Sequence, residues 1–364
     1  MLACLSVPVW VALFLGRINL RLDMSPLLWH GHEMLFGFAA GVIAGFLLTA
    51  VRAWTGLATP RGPVLGVLAL LWLAARITAV TGPYPLFAVL DVLLLPTVAV
   101  LLLQVLVKAR NKRNMPLISL LLLMTAANLA FHLSVMQVIT MPPLGALYAE
   151  LALILMVITV MTGRVVPVFT KNVTPGLVIN VSRPFEWSVL AITAIALAAW
   201  VFEAPSKLTA AVCALAAIVH MKRLWMWHPQ VTLTRPILWI LHLACIWLPI
   251  GFFLLALSQM GWVGQSIAVH AFAVGVIGGL IIGMMTRTAR GHTGRPLKAS
   301  PAEVAAYAMV LGAAVVRVLV AWAVPDWYAQ ILIAAATLWA IAFALYLALY
   351  GPWLMQTRLD GKDG

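Results

Sequence analysis

Two histidines and a carboxylate stand almost side by side in Trp29-His30-Gly31-His32-Glu33-Met34-Leu35-Phe36-Gly37-Phe38. They sit at the mouth of an apolar run that continues to Ala50. An ionisable group within a hydrocarbon-compatible segment is costly and so points to function. Further histidines recur in the same setting: His270 in VHAFAVGVIGG, His242 in WILHLACIW, and His132, His220, His228 and His292 elsewhere. Neutral imidazole is the commonest protein ligand for iron and copper, and such sites accept ligands from separate helices. Two facing helices that each offer a histidine can hold a b-type haem. These histidines are therefore read as converging from separate helices onto bound metal or haem. His30 and His32 differ by about 200° on a helix and cannot share a face. Gly31 between them permits a non-helical pair aimed at one ion, or each serves a different partner, Glu33 included. Met34 and Met136 are candidate soft ligands for copper(I).

Plainer readings stand beside these. A lone intramembrane histidine often only bridges helices by a hydrogen bond, a reading as good as ligation for His132 and His220 taken singly. His228, between Trp227 and Pro229, reads as interfacial. Methionines fill gaps, and most of the 15 tryptophans anchor interfaces. Glu33, Asp91, Glu150 and Arg317 lie within or beside apolar runs and need polar partners or a proton path. Gly275-Val276-Ile277-Gly278-Gly279 is most simply a close helix-packing face, and secondarily a place where a macrocycle could approach the backbone. Arg164, in GRVVPVFTKN, and Arg287, in MMTRTARGHTGRP, end two apolar runs. An arginine there pairs with carboxylates such as haem propionates, or only snorkels to the interface.

These residues must be positioned by membrane helices. Of the 364 residues, 64% are hydrophobic and 9% charged. Continuous rather than alternating apolar runs predict α-helices, not a barrel. Twelve spans are predicted, at about 1–16, 30–50, 63–81, 86–107, 115–139, 144–168, 185–202, 206–223, 235–258, 264–287, 301–324 and 328–350, in a single integral membrane domain with no soluble part. The connections are punctuated by proline and glycine, and no clean internal repeat is visible. The three cysteines form neither C-x-x-C nor C-x-x-C-H, which excludes a disulfide framework, a zinc knuckle and covalent haem attachment. The first run lacks the basic start and cleavage site of a signal peptide. The net charge of +13 reads as topology signals facing anionic lipid, not as a nucleic-acid surface.

Of the 23 basic residues, 18 fall in the loops after even-numbered spans or in the C-terminal tail, Lys362 among them. Arg17, Arg21, Arg76 and Lys207 fall opposite, and Arg317 lies within a span. Both termini are thus predicted to be cytoplasmic. At about 1.5 Å per residue, His30, His32, His132 and His270 then share an outer layer, and His220, His228, His242 and His292 an inner one.

Four stretches together resemble the NnrS family of haem- and copper-containing membrane proteins of the bacterial nitric-oxide response. They are WHGHEMLFGFAAGVIAGFLLTAV at 29–51, GRVVPVFTKN at 163–172, PILWILHLACIW at 236–247 and HAFAVGVIGGLIIGMMTRTARGHTGR at 270–295. The resemblance implies a twelve-helix inner-membrane protein with bound haem and copper, linked to denitrification or relief of nitrosative stress. It implies His30, His32, His242, His270 and His292 as haem or copper ligands, without dividing them between centres. Family members carry a short segment before the first helix, so the first span reads as incomplete. The predicted function is to bind or handle nitric oxide at histidine-ligated centres. Two other classes compete. A membrane haem oxidoreductase acting on nitric oxide is disfavoured as a terminal-oxidase type, because no adjacent His-His pair exists. A proton-coupled transporter would use Glu150, Glu33 and histidines as its relay.

Overall fold

The computed structural model describes residues 2–361; Lys362, counted above among the inner charges, lies outside them. Among the described residues every regular element is helical, and eleven helices are long and apolar enough to cross a membrane. They are α2 (Pro26–Thr55), α3 (Pro63–Thr81), α4 (Tyr84–Lys108), α5 (Lys112–Val135), α6 (Pro143–Asn172), α7 (Arg183–Val201), α8 (Ser206–Trp225), α9 (Pro236–Gln259), α10 (Gln265–His292), α11 (Pro301–Ala323) and α12 (Pro325–Leu354). A shorter apolar helix, α1 (Leu2–Phe14), precedes them. The protein is a polytopic all-α membrane protein.

Local chemistry sets the boundaries. Proline occupies the first turn of α2, α3, α4, α6, α9, α11 and α12, where its missing N–H costs nothing. Ser25 and Ser182 cap α2 and α7 through their hydroxyl oxygens. Ser300 and Glu303 form a reciprocal capping box at the start of α11. Gly56 closes α2 at φ +70°, a left-handed position that glycine occupies without a Cβ penalty.

The chain divides into two compact units. One comprises Leu2 and residues 12–157, and so holds α2–α5 and the first half of α6. In it α4 packs on α2, α3 and α5. The other comprises residues 3–11 and 158–361, with α9 at its centre against α8 and α10, and α11 paired with α12. Three stretches are π-helical: Glu33–Ala39 in α2, Ala271–Gly278 in α10 and Val316–Val320 in α11. Such segments widen a helix by one residue in a turn and favour functional sites. The first two begin immediately after His32 and His270.

Candidate metal centre

His32 and Glu33, at the start of the π-segment of α2, both face inward. His32 is fully buried and Glu33 is 1% exposed. Trp72 of α3 donates its indole N–H to the carbonyl of Gly37 at 2.7 Å and so holds the widened turn. Four helices of one unit then contribute to a polar cluster: His32 and Glu33 from α2, Arg76 from α3, Asp91 from α4, and Asn128 and His132 from α5. All six side chains are buried.

Asp91 is the hub. Its Oδ2 accepts a hydrogen bond from Asn128 Nδ2 at 2.6 Å. The same oxygen lies 3.1 Å from His32 Nε2 and 3.3 Å from His132 Nε2. Its Oδ1 pairs with the Arg76 guanidinium. Arg76 also donates to Glu33 Oε1 at 2.7 Å, and that oxygen stands 3.2 Å from His32 Nδ1. Tyr84 OH lies 2.9 Å from His132 Nδ1.

The outer nitrogens of both imidazoles thus have oxygen partners, and the inner nitrogens face one carboxylate oxygen. This is how metal-ligating histidines are oriented: one nitrogen is held by a carboxylate or hydroxyl and the other aims at the ion. Since Glu33 can only accept, His32 Nδ1 carries the proton and Nε2 of the neutral ring presents a lone pair. That Nε2 is buried and makes no hydrogen bond among the described residues. A lone pair held 3.1 Å from a carboxylate oxygen is unfavourable unless a proton or a metal ion lies between them. Donors of His32, Asp91 and His132 all lie within 4.8 Å of one another, as a single ion requires. Donors about 3.3 Å apart suit a tetrahedral ion with bonds of about 2.0–2.1 Å.

A macrocycle does not fit at His32. The ring centroids of Phe36, Phe87, Phe131 and His132 stand 5.1, 5.2, 4.8 and 5.1 Å from that of His32. A ring packed by four others offers no open face to a porphyrin.

Of the remaining sequence candidates, His30 is half-buried one residue before Gly31 in α2. The other unit holds the rest. His242 of α9 is 3% exposed, and its Nε2 lies 3.0 Å from Thr170 Oγ1. Thr170 donates its own proton to Val166 O at 2.9 Å, so it accepts from His242, and His242 Nδ1 is left as a buried lone pair without a partner among the described residues. Arg287 of α10, 9% exposed, lies 3.8 Å over the ring of Phe169, next to Thr170 in the chain. His270 Nδ1 donates to Ser266 O at 2.6 Å. His292 is exposed at the end of α10, and Arg164 is half-buried in α6. His220 is buried, with Nε2 2.8 Å from Thr193 Oγ1 and its ring stacked 5.5 Å from Phe252, a satisfied core histidine.

Glu150 of α6 is fully buried, and neither carboxyl oxygen has a hydrogen-bond partner among the described residues. Leu147, three residues earlier on the same helical face, packs against Gly31. Arg76, read from sequence as an outer-loop charge, is instead inside α3 and 8% exposed. Its place within a predicted span was the available signal. Nothing in the sequence singled out Asn128 or Tyr84.

A many-span helical bundle with a buried His/Asp group at metal-ligand spacing defines a membrane protein equipped to hold a metal ion. The NnrS protein family matches residues 1–358, nearly the whole chain, and the chain belongs to that family. Membership supports a part in the nitric-oxide response. No curated protein matches the chain.

Proposed function

We propose that this is a haem- and copper-binding protein of the bacterial inner membrane, with both termini cytoplasmic, that binds or handles nitric oxide during nitrosative stress or denitrification. The observation that carries the reading is the buried, unbonded Nε2 of His32 facing Asp91 Oδ2 beside His132. Charge favours copper in its lower oxidation state. Glu33 and Asp91 supply two negative charges and Arg76 one positive, so with neutral imidazoles the buried cluster carries one negative charge. A single positive charge balances it, whether a proton on an imidazole or a monovalent metal ion, so among metal ions a monovalent one fits; uncompensated buried charge is costly. His32, His132 and Asp91 are the ligands in this reading; Glu33 and Tyr84 orient the imidazoles.

Haem belongs with the other unit in this reading. His242 Nδ1 is a buried lone pair without a partner, and Arg287 is a buried cation that fits a propionate. His30, His270 and His292 remain candidate ligands on family membership. Haem iron supplies an open or displaceable position for a diatomic ligand, and copper supplies a redox partner or second ligand site.

The test is metal analysis and a pyridine haemochrome assay on one preparation of purified protein. A b-type spectrum with stoichiometric copper, and copper lost in His32→Ala, is the expected result. A colourless, metal-free preparation rejects the reading and favours a proton-coupled transporter. Glu150, a buried carboxyl without a partner, is the feature that second reading would use.

A further inference from the structure

The two π-helical histidine segments align without a gap. Of the 21 positions in His32–Arg52 and His270–Arg290, six are identical at a constant offset: His32/His270, Gly37/Gly275, Gly41/Gly279, Ile43/Ile281, Gly45/Gly283 and Arg52/Arg290. The helices on either side repeat at a second constant offset. Leu2-Ala3-Cys4 and Pro8 of α1 answer to Leu243-Ala244-Cys245 and Pro249 of α9; Arg76 of α3 answers to Arg317 of α11; Phe87 of α4 answers to Tyr328 of α12. Geometry follows sequence. The Arg76 guanidinium carbon lies 5.8 Å from the Phe87 ring centroid, and that of Arg317 lies 5.4 Å from Tyr328.

The two copies differ where charge is concerned. The counterparts of Glu33 and Asp91 are Ala271 and Leu332, both buried and both apolar. Arg317 is 5% exposed, as deeply buried as Arg76, yet its partners are hydroxyls: Ser266 Oγ at 3.4 Å and Tyr328 OH at 3.2 Å. No ion pair among the described residues includes it. Asp326, two residues from Tyr328, is exposed and forms none either. A guanidinium buried without a counter-charge demands an anion. Its planar fork of donors matches a carboxylate or a small oxyanion. Ser266 is exposed and Tyr328 is 38% exposed, so the hydroxyl partners of Arg317 reach the surface, whereas the acidic partners of Arg76 are buried with it.

We infer that α1–α4 and α9–α12 are a duplicated four-helix element, and that Arg317, with Ser266 and Tyr328, is a second site that binds a small monovalent anion through oxygen acceptors, a carboxylate or an oxyanion of the nitrite type. A divalent anion would leave a net negative charge beside a single guanidinium and is disfavoured. The site does not depend on the metal reading of its counterpart.

Thermal unfolding of the full-length protein in detergent, with nitrite, acetate or sulfate at matched ionic strength, tests this. A saturating monovalent ligand should raise the wild-type midpoint by about 2 °C or more relative to sulfate. Arg317→Gln should abolish the difference. Leu332→Asp, which restores the acidic counterpart of Asp91, should abolish it with the arginine still present. Response to nitrite alone identifies the oxyanion, and response to both anions a general carboxylate-type site. No wild-type response to either anion, or an equal response in Arg317→Gln, overturns the proposal.

Discussion

One oxygen atom, Asp91 Oδ2, is approached by three nitrogens, from Asn128, His32 and His132, and its twin oxygen is taken by Arg76. Such a carboxylate ties α4 to α2, α3 and α5 at once. Asp91→Asn keeps the shape and removes the charge, leaving Arg76 with Glu33 alone. Removing one partner of a buried ionic group costs about 3–5 kcal/mol, so a clear fall in thermal midpoint is expected, together with weaker metal retention. His32→Ala should spare insertion, because the span stays apolar, and should lower bound copper by an order of magnitude or more; metal analysis of membranes with matched expression reads both. Glu150→Gln makes the opposite expectation. A carboxyl buried without a hydrogen-bond partner destabilises the fold, so its neutral amide should leave the midpoint unchanged or raise it. A fall would mean that Glu150 holds something in place. Glu33, Asp91, His32 and His132 were legible as costly polar residues in apolar runs. Their common meeting point was not, because facing depends on helix rotation, which a lone apolar run without amphipathic contrast does not encode.

The π-segment of α2 makes the cluster possible at the scale of the element. Gly37 lies within it, and a Cβ there would press on the Arg76 guanidinium and the Glu33 carboxylate. Gly37→Ala should therefore cost about 1–3 kcal/mol and alter metal binding without touching a ligand. A thermal midpoint and metal content equal to wild type would contradict the geometry. Gly163 plays a similar part in the other unit, where its missing side chain admits Arg223, which pairs with Glu186 and donates to Thr159 O at 3.0 Å. Proline and glycine at the joins were legible, and proline stands in the first turn of most of the long helices. The π-segments were not: they arise where packing fixes both ends of a helix that has one residue too many, and no residue type announces that. No single offset reveals the repeat either, since its offset shifts by three residues between α1 and α2 relative to α9 and α10.

At the scale of the whole molecule, eleven of the twelve predicted apolar runs are helices long enough to cross a membrane, and the first, 1–16, is the shorter α1. Orientation rests on charge. With the buried helical arginines set aside on both sides (Arg76 on one, Arg223, Arg287 and Arg290 on the other), the bias towards the loops after even-numbered spans goes from 18 against 4 to 15 against 3 and so persists. A reporter fused after the last residue should be active only if it folds in the cytoplasm. Activity of a reporter that matures only in the periplasm would reverse the assignment of the histidines to opposite membrane faces.

The widened turn after His32 also behaves as a register lock. An α-helix advances about 100° per residue, so deleting Met34 would let 33–39 relax to regular winding and swing the stretch that bears His30 and His32 by about that angle against the rest of α2. Neither imidazole would be lost, yet both would be misaimed. The aim of both imidazoles is therefore stored partly in a surplus backbone residue, which a catalogue of buried polar side chains would miss.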